Sequence, residues 1–102
     1  MTERRVRFTA TAAEHIDRER SWWLENRDQL ELFTTELAQA ATILAILPGA
    51  GSPYDRTQSA GLRRLYLRKI NCHIYYTFDD DEVIVRAVWG ARRERGPAIG
   101  TL

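Results

Sequence analysis

The sequence has a single cysteine and no long apolar run, and each shortage excludes a class of protein. A single cysteine, Cys72, cannot form an internal disulfide, which excludes a disulfide-stabilised scaffold and fits a reducing compartment. No apolar run approaches the roughly 18 residues of a membrane-spanning helix. Residues 1–10 are charged and lack the apolar segment of a secretory signal. We therefore expect a cytoplasmic protein.

What is present indicates one globular domain over residues 1–102. Hydrophobic residues make up 44% of the chain and charged residues 28%, which is the balance of an ordinary folded domain. The net charge is +1, but residues 1–61 carry seven basic and nine acidic groups, whereas residues 62–102 carry eight and five. The two parts are therefore −2 and +3, and we expect a basic surface on the C-terminal part.

The first half of the sequence predicts a strand followed by a helical hairpin over about residues 10–47. Charged and apolar side chains alternate over 4–8, as in a short strand with one solvent-exposed face. The first helix should begin after Thr9 or Thr11 and bury Ala13, Ile16 and Trp23. The second carries apolar residues at alternating steps of three and four, which indicates one buried stripe. These residues are Leu30, Phe33, Leu37, Ala40, Leu44 and Leu47.

The second half predicts a loop, three strands and a basic tail. Residues 48–61 hold three of the six glycines and two of the three prolines, which predicts the loop. Strands are predicted over 62–68, 72–78 and 82–89, and the short connections between them indicate an antiparallel meander. Residues 90–102 form the basic tail. A strand, two helices and three further strands together predict an α+β fold.

Alternation along these strands predicts that the two faces of the sheet differ. One face should pack against the helical hairpin, and the other should be aromatic and basic. Strict alternation in the last strand places Arg86 with Ile84 and Val88, opposite Val83 and Val85. We expect the uncovered face to collect the arginines of the C-terminal part, namely Arg64, Arg68, Arg86, Arg92, Arg93 and Arg95.

Four segments in this order resemble the RelE/ParE superfamily of toxins from bacterial type II toxin–antitoxin systems. They read "ILAILPG", "GLRRLYL", "HIYYTF" and "VIVRAVWGARR", and the resemblance covers nearly the whole chain. It implies a small twisted antiparallel sheet with two helices packed on one face. It also implies a hetero-oligomer with a cognate antitoxin that covers the hairpin and sheet surface, and no cofactor or metal.

One activity that the resemblance implies is ribosome-dependent cleavage of messenger RNA, as in RelE-like toxins. Its catalytic residues would then be His73, Arg64, Arg68 and Arg92, and only in this case is the protein an enzyme. RelE-like toxins often carry a tyrosine or histidine in the C-terminal tail to act as acid or base. This sequence has neither residue after Tyr76, which argues against the ribonuclease.

The other implied activity is the poisoning of DNA gyrase by binding, as in ParE-like toxins, and we favour it. The segment "VWGARR" resembles the ParE-like motif "LHGARD", with Trp89 and Arg93 in place of its histidine and aspartate. The residues expected to contact the target or the antitoxin are Tyr66, Tyr75, Arg86, Trp89, Arg92, Arg93 and Arg95. A third alternative is an inactive relic or a peptide-binding module. We expect no special role for His15.

Overall fold

Two consecutive helices pack against one face of a five-stranded sheet in the computed structural model of this chain. The elements in chain order are β1 Arg5–Phe8, α1 Ala10–Asn26, α2 Leu30–Ile46, β2 Ser52–Pro53, β3 Arg63–Leu67, β4 Cys72–Phe78 and β5 Glu82–Gly90. This arrangement confirms the α+β fold and its order of elements.

The structure describes residues 3–54, 61–93 and 95–98. Residues 55–60 of the predicted loop, and residues 94 and 99–102 of the predicted basic tail, lie outside the described part of the chain.

Local chemistry marks the start of α1 and the ends of both helices. The hydroxyl of Thr9 accepts a hydrogen bond from the Ala12 amide at 3.1 Å and so caps the N-terminus of α1. Asp28, with a left-handed φ of 50°, follows α1, which runs two residues beyond the predicted Leu24. α2 ends at Ile46, just before Pro48. Within the described residues, neither helix is long and apolar enough to cross a membrane.

The strand order across the sheet is β1-β5-β4-β3-β2. β3, β4 and β5 form the predicted antiparallel meander. β1 pairs with β5 in parallel, so the complete sheet is mixed. β2 pairs with β3 through Ser52 and Pro53, and a 3₁₀ turn covers Pro48–Ala50. The predicted loop 48–61 therefore contains regular structure that its composition did not reveal.

The main core lies between the helices and the inner face of the sheet. Its fully buried members are Ala12, Ala40, Leu44, Ile74, Tyr76, Val83, Val85 and Val88. The Tyr76 hydroxyl donates to the Pro48 carbonyl at 2.6 Å and accepts from the Gly51 amide at 2.9 Å. A Cβ atom at Gly51 would lie 2.7 Å from this hydroxyl oxygen, so only glycine fits there.

A β-bulge changes the predicted faces of β5. Tyr75 pairs with Ala87 and Tyr76 with Val85, so Arg86 has no partner on β4. The extra residue reverses the alternation, and Val88 therefore shares the inner core with Val85. The prediction that Val88 lies on the same side as Arg86 was wrong, because strict alternation assumes an unbroken register.

Candidate functional site

Side chains of α1 complete the hydrogen bonding along the exposed edge of β5. β1 ends at Phe8, opposite Val85, so the later residues of β5 have no strand beside them on that edge. The Val88 amide donates to His15 Nδ1 at 3.3 Å, and the Gly90 amide donates to Glu19 Oε1 at 3.2 Å. The spacings match, since four helical residues rise about 6 Å and two strand residues about 6.7 Å.

Glu19 is a buried carboxylate, 1% exposed, that also binds two arginines from the segment after β5. Its oxygens lie 2.9 Å from Arg92 Nη1 and 3.4 Å from Arg93 Nε. A Cβ atom at Gly90 would lie 2.7 Å from Glu19 Oε1, so the glycine lets this group approach the strand. Arg92 and Arg93 were predicted on the uncovered sheet face. That placement was wrong, because Glu19 holds both of them against α1.

The same arginines lie over two tryptophan rings. Arg92 lies 3.8 Å from the ring centroid of Trp22, and Arg27 lies 5.4 Å from the same centroid. Arg93 lies 5.0 Å from the ring centroid of Trp89, and Arg18 of α1 lies 5.1 Å from the same centroid. Such cation–π contacts stabilise both partners. We call this group the arginine–tryptophan rim, and it consists of Arg18, Trp22, Arg27, Trp89, Arg92 and Arg93.

His15 was expected to have no special role, and the structure corrects this. Its ring is buried, packs edge-on against Trp89 at 5.0 Å and accepts the Val88 amide proton. Burial, with a smaller contribution from Arg18, lowers the pKa of His15 and so favours the neutral acceptor form.

The two buried polar residues of α1 were not predicted, because apolar residues alone were expected at buried positions. Ala13, which was predicted inside, is exposed. The buried positions of α1 are Ala12, His15, Glu19 and Trp23, spaced by three, four and four residues. That helical spacing was the signal that would have identified His15 and Glu19.

The outer face of the sheet carries Tyr66 and His73, as the sequence predicted. It also carries Trp89, which strict alternation predicted on the face opposite Arg86 and which the β-bulge moves to the outer face. Tyr66, His73 and Trp89 are directly paired across β3, β4 and β5. Tyr66 is 48% exposed, and its hydroxyl donates to Asn71 Oδ1 at 2.7 Å. His73 lies 5.0 Å from the Tyr66 ring. Burial and the nearby Arg64 guanidinium lower the pKa of His73, so its neutral form predominates near neutral pH.

The chain's own C-terminal segment covers part of this outer face. The Trp89 indole N–H donates to the Arg95 carbonyl, Gly96 lies close to the Tyr75 hydroxyl, and Pro97 is buried. Tyr75 is only 2% exposed and clusters with other buried residues. The prediction of an uncovered face was therefore wrong at Tyr75, because residues 95–98 fold back over it.

The remaining predicted arginines lie at separate places. Arg64 is exposed on the outer face and lies 5.0 Å from the Tyr54 ring centroid. β3 ends at Leu67, so Arg68 belongs to a 3₁₀ turn rather than to the strand. Arg86, at the bulge, donates to Thr77 Oγ1 at 2.9 Å. The arginines thus form a rim beside α1 and a sparser set around the sheet, instead of one cluster.

The sequence matches the family model described as "ParE toxin of type II toxin-antitoxin system, parDE" over residues 6–95. The chain belongs to the ParE toxin family. The matched region of this ParE toxin contains α1, β5 and the whole arginine–tryptophan rim. Among curated proteins, none matches the sequence significantly.

Solved structures similar to this ParE toxin are toxin–antitoxin complexes. A chain of the chromosomal ParDE system from P. aeruginosa has a TM-score of 0.71 and 12% identity, and covers 88% of this chain and 98% of its own. A chain of the RelBE2 complex from Mycobacterium tuberculosis has a TM-score of 0.60 and 24% identity, and covers 89% of this chain and 95% of its own. A chain of the E. coli DinJ–YafQ complex has a TM-score of 0.61 and 11% identity, and covers 92% of this chain and 100% of its own. At these identities the likeness shows the shared RelE/ParE fold.

Proposed function

We propose that this toxin inhibits growth in the cytoplasm by binding and poisoning DNA gyrase, and that a cognate antitoxin neutralises it. Membership of the ParE family supports this activity over the ribonuclease of RelE-like toxins. Similarity to chains solved as toxin–antitoxin complexes supports the antitoxin partner.

The observation that carries this proposal is the position of Arg92 and Arg93. Both guanidinium groups bind Glu19 and lie over tryptophan rings beside α1, whereas His73 lies among Tyr66 and Tyr75. A ribonuclease needs a base, an acid and cations around one phosphate. The arrangement instead favours a preformed basic and aromatic surface, which serves binding without chemistry.

We propose that the contact surface combines the arginine–tryptophan rim with the exposed part of the outer face. Tyr66 and Arg95 are exposed beside the rim and remain in the proposed surface, as does the partly exposed Arg86. Tyr75 is left out because Gly96 and neighbouring aromatic residues cover it. Tyrosine, tryptophan and arginine are the residues that most often dominate binding energy at protein interfaces.

A ribosome-dependent messenger-RNA endoribonuclease is the second candidate, and one observation favours it. His73 is half-buried beside Arg64, with its pKa lowered so that the neutral imidazole is available as a proton acceptor. A neutral histidine next to a guanidinium has the chemistry needed to abstract a 2′-hydroxyl proton and stabilise phosphate charge.

Two assays on the purified toxin separate these candidates. The first measures supercoiling of relaxed plasmid by DNA gyrase, and the second measures cleavage of message on programmed ribosomes. We expect loss of supercoiling with intact message. Arg92→Ala should weaken gyrase inhibition about tenfold, because arginine is enriched among the few interface residues that contribute most of the binding energy. Arg20→Ala, which removes an exposed α1 charge outside the rim, is the matched control.

Cuts in ribosome-bound message that disappear in both His73→Ala and Arg92→Ala would replace the gyrase proposal with the ribonuclease. Thermal unfolding of each variant establishes that it is folded under assay conditions. Expression of the chain alone tests for a relic, because an active toxin arrests growth and an inactive one does not. Rescue by a short reading frame immediately beside this one would identify the antitoxin.

A further inference from the structure

A cavity of about 270 Å³ opens where the tip of the helical hairpin meets the turn between β3 and β4. It is separate from the outer sheet face, and its floor is apolar, with contributions from Trp23, Leu32 and Ile70. Trp22 and Arg92 of the rim form one wall. A cavity of this volume has room for one or two amino-acid side chains but not for a folded partner element.

Its charged lining has one sign. Arg27, Lys69 and Arg92 line the cavity, and no acidic side chain does so within the described part of the chain. Arg92 already binds Glu19, but its side chain is still 28% exposed, and Arg27 and Lys69 are exposed. Three cations around an apolar floor make the cavity complementary to an anionic group carried on an apolar segment.

An unpaired hydrogen-bond donor belongs to Trp23, in the floor of the cavity. The Trp23 side chain is 6% exposed, and its indole N–H has no acceptor among the described residues. Buried polar groups are rarely left unpaired, and an unpaired donor costs about 1–3 kcal/mol. The N–H itself is buried, so the Trp23 ring must rotate toward the cavity before a ligand oxygen can pair with it and remove that cost.

The shape and charge favour a peptide carboxylate over a nucleic-acid phosphate. A nucleic acid is held by a row of cations along its backbone, and proteins that bind it are strongly basic. This chain has a net charge of only +1, and its basic groups here surround one apolar cavity. A single acidic side chain flanked by apolar residues fits both the floor and the walls.

We propose that this cavity binds a glutamate or aspartate side chain from an acidic, amphipathic segment of the antitoxin. The proposal rests on the proposed function in so far as the antitoxin is the source of the peptide. It adds the chemistry that the antitoxin segment must carry and the place where that segment contacts the toxin.

The test titrates the purified toxin with a terminally blocked decapeptide in which pairs of glutamates and leucines alternate. A second peptide has every glutamate replaced by glutamine. The chain has three tryptophans, so a two-dimensional nitrogen–proton NMR spectrum contains three indole N–H signals. Trp22→Phe and Trp89→Phe assign them by elimination. We expect the glutamate peptide to shift the Trp23 signal and the glutamine peptide to leave it unchanged.

Matched double variants test whether the cations act locally. Arg27→Gln with Lys69→Gln should weaken glutamate-peptide binding about tenfold, because it removes two charged partners. Arg20→Gln with Arg68→Gln makes the same change in net charge on the same helix and turn. These two residues do not line the cavity, so binding should stay within about twofold.

Equal binding of both peptides, or equal weakening by both double variants, would overturn the proposal. So would a single-stranded oligonucleotide that shifts the Trp23 signal more strongly than the glutamate peptide, with affinity falling steeply as salt rises. The supercoiling assay is independent of these measurements. A toxin that binds the peptide without inhibiting gyrase would overturn only the gyrase proposal. A toxin that inhibits gyrase without binding the peptide would overturn only the cavity proposal.

Discussion

The two halves of β5 have different hydrogen-bond partners along the same edge, backbone in the first half and side chains in the second. Residues 82–85 lie beside the backbone of β1, in a regular parallel pairing. Further along, the amides of Val88 and Gly90 donate instead to the side chains of His15 and Glu19. Backbone pairing tolerates most substitutions, whereas the second half depends on two particular side chains.

One ion pair to an earlier element lies in the first half and another lies just after the second half, and the two differ in burial. Arg7 binds Glu82 at 3.2 Å in the first half, where the arginine side chain is 53% exposed. In the second half the carboxylate of Glu19 is almost completely buried and accepts from Gly90 as well as from two arginines. We infer that the second half is the more sensitive to mutation, and it is also the half that presents the arginine–tryptophan rim.

The largest expected effect is that of Glu19→Ala. It leaves the Gly90 amide without its acceptor and both arginines without their anion, and we expect a loss of about 3 kcal/mol in the free energy of unfolding. Urea denaturation followed by tryptophan fluorescence measures it. Glu14→Ala, at an exposed position of the same helix, should change stability by less than about 0.5 kcal/mol. Equal losses in the two variants would contradict the comparison.

His15→Ala comes next, with an expected loss of about 2 kcal/mol, because the buried Val88 amide loses its acceptor and Trp89 loses a packing partner. Urea denaturation at neutral pH provides the measurement. A variant as stable as the parent chain would show that water satisfies this edge equally well.

The pH dependence of the same variant sharpens this result. Burial, Arg18 and Arg93 lower the pKa of His15, while Glu14 and Glu19 oppose the shift. The unfolded histidine therefore binds a proton below about pH 6.5 before the folded one does, and the stabilisation present above that pH is lost as pH falls. His73 shifts in the same direction. His15→Ala should consequently lose less stability between about pH 7 and about pH 5 than the parent chain does.

The smallest effect is expected for Arg7→Ala, in the first half of β5. An exposed ion pair contributes at most about 1 kcal/mol and commonly less, so we expect a change below about 0.5 kcal/mol. Added salt should reduce even this difference, whereas the loss in Glu19→Ala should persist. Thermal unfolding of the Arg7→Ala and Glu19→Ala variants at low and high salt measures the two losses. A loss at Arg7 that equals the loss at Glu19 would remove the distinction between the two halves.

Periodicity predicted the elements well but the faces of β5 and α1 poorly. The apolar stripe of α2 needed no tertiary information, and Phe33, Ala40 and Leu44 are buried as predicted. The prediction was wrong at Leu47, which lies beyond the end of α2 and is 57% exposed. A bulge at Arg86 is invisible to strict alternation, so Val88 was placed on the wrong face. Because only apolar residues of α1 were predicted to be buried, Glu19 was not predicted, although its helical spacing matched the buried positions.

The candidate site was predicted in composition but not in geometry. The basic and aromatic residue types at the end of the chain were evident from the sequence, and their roles in binding remain predictions. Their grouping depends on Glu19, which lies 73 residues before Arg92, and on the fold of residues 95–98 over Tyr75. Neither contact produces a pattern among neighbouring residues of the sequence, because its partners are far apart along the chain.

By itself, the sequence determined the order and type of the elements and the similarity to ParE toxins. These follow from side-chain periodicity and turn chemistry, which act between near neighbours. Only the tertiary structure decided which way the terminal arginines turn. Their direction depends on a single buried carboxylate that reaches the end of β5 only after α1 has packed along its edge.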